Sequence, residues 1–164
     1  VIAGLGAGAT IVSDELDLFL KETKIPFFGV DTGRALVGDS HECSLGIGYL
    51  PLNKAAQRIN ESDLVLLLGV KLDYQLGFGG SPPFNKNAKI ICVDPDIQQL
   101  NRSRTISLII NSDVGPYIEK VNKEAEANKG KTIPPPEGVA STTTTTNNNT
   151  TTTNTTTSNY LHYY

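Results

Sequence analysis

Apolar residues along this chain come in short runs separated by amphipathic stretches. The sharpest run is Leu64–Leu68, five apolar residues after Asp63 that stop at Gly69. A run this short, closed by glycine, predicts a strand buried on both faces, as in parallel sheets. A buried helix would need a longer run. Lys89–Asp94 repeats the pattern and ends in an acid. Phe27–Val30 and Thr105–Ile110 read as further strands, and Val1–Ala3 as the end of another. Stretches with helical spacing lie between them. The first follows the glycines at 4, 6 and 8 and has Ile11, Leu16, Leu18, Phe19 and Leu20 as its apolar face. Leu52–Asn60 puts Leu52, Ala55, Ala56 and Ile59 on one side. Pro95–Leu100 reads as one turn begun by proline. A longer helix runs from Val114 to about Ala127, behind a cap at Asn111-Ser112-Asp113. Its buried stripe is Val114, Ile118 and Val121, with Tyr117 close to it. Residues 39–48 read as irregular. Residues 74–84 read as a loop with at most a short helical turn.

Strand and helix alternate as far as Lys129, which predicts an α/β fold with a parallel sheet and right-handed crossovers. The remainder differs. Ile133–Gly138 is a stiff proline linker, and residues 142–157 contain only Thr and Asn. A tract without apolar side chains cannot offset the entropy of ordering, so a disordered tail is expected. The expected organisation is one folded domain over 1–129 and a linker with a tail over 130–164.

Charge and composition narrow the function. A net charge of −3 over 164 residues offers no nucleic-acid footprint. No apolar run approaches the roughly 20 residues that span a bilayer. Cys43 and Cys92 form no CxxC pair, which suits a reduced intracellular setting. The chain opens at Val1 inside a strand-like segment and reads as a fragment, so a missing leader says little.

Three clusters carry candidate chemistry. Gly4-x-Gly6-x-x-Ala9 fits the dinucleotide fingerprint, with Asp31 closing the following strand where an acid could hold a ribose. Such glycine turns also occur without any ligand. Gly69-x-Lys71-x-Asp73 follows the central strand: glycine gives access and lysine gives charge to a phosphate. A solvated lysine beside a capping acid is the plainer reading. Val93-Asp94-Pro95-Asp96 puts an acid at the tip of a buried strand, a place that accepts hydrogen bonds from ribose hydroxyls or from backbone amides. Together, glycine turns, a cation and an acid at neighbouring strand ends favour an ADP-type moiety. His41 and Cys43 have no third ligand nearby and read as loop or packing residues.

Val1-Ile-Ala-Gly-Leu-Gly-Ala7, Ile25-Pro-Phe27, Gly33-Arg-Ala-Leu36, Asp63–Asp73, Phe78-Gly79, Pro82-Pro83-Phe84 and Ile90–Asp94 occur in an order that resembles a known family. It is the central domain of thiamine-diphosphate-dependent enzymes of the acetolactate synthase and 2-hydroxyacyl-CoA lyase group. The Leu72-Asp73-Tyr74, Phe78-Gly79 and Pro82-Pro83-Phe84 pattern leans toward the lyase side. The resemblance implies a Rossmann-like six-stranded parallel sheet with helices on both faces. It implies FAD or ADP as the nucleotide of this domain, with Gly4, Gly6, Ala7, Arg34, Gly69, Lys71 and Asp94 as the binding residues. Lys71 stands where the family usually has arginine, which keeps the charge and loses the planar fork. Thiamine diphosphate and Mg²⁺ would belong to the full-length enzyme, held by domains that this chain lacks. The motifs of those domains are not in the sequence, so no catalysis by this chain alone is expected. The resemblance also implies a homo-oligomer at full length and a cytoplasmic or peroxisomal setting. Two other readings stay open: a non-catalytic regulatory nucleotide module, and an NAD-binding oxidoreductase fragment using Gly4–Ala9.

Overall fold

The computed structural model describes residues 2–4, 6, 12–100 and 106–129. The expected tail over 130–164 lies outside them, as do Ala7, Ala9 and Ile11. In chain order the regular elements are β1 (Ile2–Ala3), α1 (Ser13–Thr23), β2 (Phe27–Gly29), β3 (Ser44–Ile47), β4 (Leu64–Leu68), β5 (Lys89–Asp94), α2 (Ile97–Leu100), β6 (Leu108–Asn111) and α3 (Val114–Ala127). Three 3₁₀ segments intervene at Asp31–Ala35, Ala56–Glu61 and Tyr74–Gly79.

The strands form one sheet in the order β3-β2-β1-β4-β5-β6. Every pairing is parallel. The chain starts in the middle, winds outward through β2 and β3, then crosses back to β4 and winds the other way. The reversal lies between β1 and β4, where ligand crevices form in such sheets. The register there is Ile2 opposite Leu67 and Ala3 opposite Leu68. Next to it, Leu68 stands opposite Val93.

Alternate side chains of each strand go to opposite faces, and each face has its own core. One core gathers Leu68, Val93 and Phe27 with Leu16, Phe19 and Leu20 of α1 and Val114 and Ile118 of α3. The stripe foreseen for α3 is therefore buried at Val114 and Ile118, with Tyr117 and Val121 packed at its edge. Asp113 is the N-cap residue, but its side chain makes no capping hydrogen bond. In α1 the outcome is mixed: Leu16, Phe19 and Leu20 are buried and Leu18 is exposed. The other core joins Val65, Leu67, Ile90 and Cys92 to Phe28, Ile59, Leu76 and Phe84. The short 3₁₀ segments Ala56–Glu61 and Tyr74–Gly79, together with loops, cover that face, where a layer of longer helices was expected.

Two local readings need correction. The helix foreseen over Leu52–Asn60 is only a 3₁₀ segment at Ala56–Glu61. Ala56 and Ile59 are buried, while Ala55 is exposed and Leu52 is 82% exposed. Asn53 explains this. Its Nδ2 donates to the carbonyls of Leu45 and Ile47, both at 2.7 Å, and its Oδ1 accepts from the amide of Ala55 at 3.0 Å. A side chain that satisfies the backbone locally competes with helix formation. The second correction concerns residues 39–48. They contain the edge strand β3, whose register against β2 shifts between Phe27 and Gly29. A four-residue strand broken by a glycine carries too little alternation to be seen in sequence.

Candidate functional site at the carboxyl edge of the sheet

The candidate site is assembled from the loops that leave β1, β2, β4 and β5. Gly4 and Gly6 leave β1 and pack directly on the turn that leaves β4. The amide of Gly4 donates to Leu68 O at 3.0 Å, and that of Gly6 to Gly69 O at 3.1 Å. A Cβ on Gly4 would sit 2.8 Å from Gly69 O, and one on Gly6 would sit 2.9 Å from Gly69 Cα. Two backbones in contact leave no room for side chains. That contact accounts for both glycines before any ligand is considered. Gly69 has φ +60°, and its amide donates to Val93 O at 2.9 Å. It thus joins the end of β1 to the end of β5.

Asp94 closes β5 and is buried, the only buried charged residue among the described residues. Its Oδ1 accepts from the amide of Asp96 at 2.8 Å. The side chain of Asn111 donates to the carbonyls of Asp94 and Pro95 at 3.1 and 2.8 Å, holding the turn after β5 in place. Beside Asp94, the Cys92 thiol is pushed up to about 12, by burial first and by the Asp94 charge second. Lys71 is exposed two residues beyond Gly69 and forms no ion pair among the described residues.

Gly6, Gly69 and Asp94 therefore lie along one line of neighbouring strand ends, with Lys71 on the loop that leaves it. Arg34 is placed differently. It sits in the 3₁₀ turn after β2, and its guanidinium pairs with Asp39 at 3.1 Å on the surface. Ala7 lies outside the described residues. His41 and Cys43 are packing residues: His41 Nδ1 accepts from the amide of Cys43 at 3.1 Å, and Cys43 is buried. No group of three His, Cys, Asp or Glu residues that could hold a metal ion occurs among the described residues. Nor does any helix there have the length and apolarity to cross a membrane.

One site neighbour escaped the sequence reading. Gln75 Nε2 donates to Asp31 Oδ1 at 3.4 Å across 44 residues of chain. Nothing in the sequence pairs these positions, because the contact exists only once β2 and β4 flank β1.

Comparison with known proteins agrees with this fold. Residues 1–121 match the family model described as "Thiamine pyrophosphate enzyme, central domain". The chain is 31% identical over 109 residues to 2-hydroxyacyl-CoA lyase 1 of Dictyostelium discoideum, covering 66% of this chain and 18% of that protein. It is 24% identical to oxalyl-CoA decarboxylase of Escherichia coli K12, over 78% of this chain and 22% of that one. Against chloroplastic acetolactate synthase 2 of Nicotiana tabacum the identity is 27%, over 77% and 19%. The chain thus spans about a fifth of the length of these relatives. The fold is shared with a solved Mycobacterium smegmatis protein described as thiamin diphosphate-dependent. There the TM-score is 0.60 at 13% identity, covering 74% of this chain and 24% of that one. The matched span takes in every strand of the sheet and most of α3, and so the chain belongs to the thiamine pyrophosphate enzyme central-domain family.

Proposed function

We propose that this chain is the nucleotide-binding central domain of a thiamine-diphosphate- and magnesium-dependent carbon–carbon lyase or synthase. Its relatives include the 2-hydroxyacyl-CoA lyases, which serve as a model for the reaction type. The nucleotide is ADP, or the ADP half of FAD. One observation carries the reading: a buried carboxylate, Asp94, stands beside the Gly69 turn next to the sheet's reversal point, with Lys71 at its rim. Buried carboxylates need donors, and among the described residues Oδ1 of Asp94 accepts one from the amide of Asp96. The second oxygen suits a ribose hydroxyl. Lys71 offers a point charge to the diphosphate.

The described residues do not fit a thiamine diphosphate or Mg²⁺ site, since they present no metal-ligand cluster. Those groups would be held by companion domains, where thiamine diphosphate supplies the carbon nucleophile. This chain alone would then bind nucleotide without turning over substrate. Its two free cysteines suit an intracellular setting, cytoplasmic or peroxisomal. At full length the enzyme would be a homo-oligomer. The NAD reading gains nothing, because the carboxylate of Asp31 already faces Gln75.

Titration calorimetry of the full chain with ADP, FAD and NAD tests the proposal. ADP or FAD should bind, and Asp94→Asn and Lys71→Ala should each weaken binding about tenfold, the size of one charge-assisted contact. Tight NAD binding without ADP or FAD binding would overturn it.

A further inference from the structure

The contact between Asp31 and Gln75 spans the candidate site. Asp31 directly follows Val30 at the end of β2, and Gln75 lies on the 3₁₀ segment that follows β4. In the sheet, β2 and β4 flank β1. A contact between the loops after β2 and β4 therefore crosses the carboxyl end of β1, where Gly4 and Gly6 turn.

Both ends of this clasp are anchored. The amide of Gln75 donates to Asp73 Oδ1 at 2.9 Å, and the next residue, Leu76, is buried in the core. On the other side the 3₁₀ turn after β2 folds back tightly. Gly33 donates to Val30 O at 3.0 Å, and a Cβ on Gly29 would lie 2.4 Å from Arg34 Cα. The contact itself is exposed, but both side chains are carried by backbone that is held in place.

The sheet offers two acids to an adenosine ribose: Asp31 after β2 and Asp94 at the end of β5. Three strand spacings separate β2 from β5, about 14 Å, so one ribose cannot reach both. We propose that the Asp31–Gln75 clasp closes the β2 side of the crevice and directs the adenosine to Asp94 on the β5 side. This inference rests on the nucleotide reading above and assigns a specificity role to Gln75, which is a positioning residue here.

The test is calorimetric titration of ADP into the full 164-residue chain. The set is wild type, Asp31→Asn, Asp94→Asn and Gln75→Ala, the last also combined with Asp94→Asn and with both aspartate substitutions, each checked for folding by circular dichroism. Asparagine suits position 31, since φ there is +49° and Asn tolerates the left-handed region. With the clasp intact, Asp31→Asn should leave ADP affinity within about twofold, because that carboxylate is unused. Gln75→Ala should free the already exposed Asp31 as an alternative ribose partner, so that Asp94→Asn costs about tenfold with Gln75 in place and about twofold in the Gln75→Ala background. Adding Asp31→Asn to the Gln75→Ala and Asp94→Asn pair should restore the tenfold loss. An Asp94→Asn loss that is the same with and without Gln75, or a loss on Asp31→Asn alone, would overturn the clasp while ADP binding and its sensitivity to Asp94→Asn beside an intact Gln75 survive. Absence of ADP and FAD binding by wild type would overturn the nucleotide reading and the clasp together.

Discussion

The amide of Gly6 lies 3.1 Å from the carbonyl oxygen of Gly69, locking the turn after β1 onto the turn after β4. Those turns belong to the two strands at which the sheet reverses direction. The candidate site is thus built on a backbone-to-backbone contact that tolerates no side chain.

Gly6→Ala should therefore be costly although it adds only one methyl group. Its Cβ would meet Gly69 Cα at 2.9 Å, and backbone cannot swing aside as a side chain could. A loss of about 2 kcal/mol is expected from overpacking of this kind. Urea unfolding checks it. A variant as stable as wild type would show that the two turns separate easily.

Leu67 is fully buried in the middle of β4 and packs in the core with Ile2, Ile90 and Cys92. Leu67→Ala removes most of that side chain and leaves a cavity in the core on that face of the sheet. The expected cost is about 3 kcal/mol. Thermal unfolding should show a lower midpoint with an unchanged circular dichroism spectrum at low temperature.

Asn53→Ala should cost about 1–2 kcal/mol, since it strips two backbone carbonyls of β3 of their donor. The effect should be local. Amide hydrogen exchange should speed up over residues 44–61 and stay unchanged in β4 and β5. Uniform acceleration over the sheet would contradict a local role.

Cys92 sets a pH dependence. Its thiol is pushed up from an ordinary 9.0 to about 12, by burial first and the Asp94 charge second. The sign follows from proton counting. Below pH 9 the thiol is protonated in both states and contributes nothing to the slope. Between 9 and about 12 the unfolded thiol loses its proton and the folded one keeps it, so stability falls as pH rises. Cys92→Ser should flatten that decline. In the native protein at pH 8, Cys92 should resist a thiol reagent that labels it at once in urea.

The central strands β4 and β5 were legible because burial writes itself as short apolar runs, whereas β6 runs over Leu108–Asn111 with Leu108 and Ile109 exposed, later than the expected Thr105–Ile110. Leu64–Leu68 and Lys89–Asp94 match their expected bounds residue for residue. The helix Val114–Ala127 was equally plain, since its stripe repeats at helical spacing. Asp94 and Gly69 stood out as candidates because each ends such a run. Other features had no local signature. Leu52 and Ala55 kept helical spacing, yet Asn53 spent its side chain on β3 and broke the helix. β3 itself is too short to alternate. The Asp31–Gln75 contact joins positions 44 apart and depends on strand order alone. Sequence by itself decided which segments leave water, because that is set residue by residue by transfer free energy. Only the tertiary structure decided which strand ends become neighbours, because that is set by the winding of the sheet and the reversal between β1 and β4.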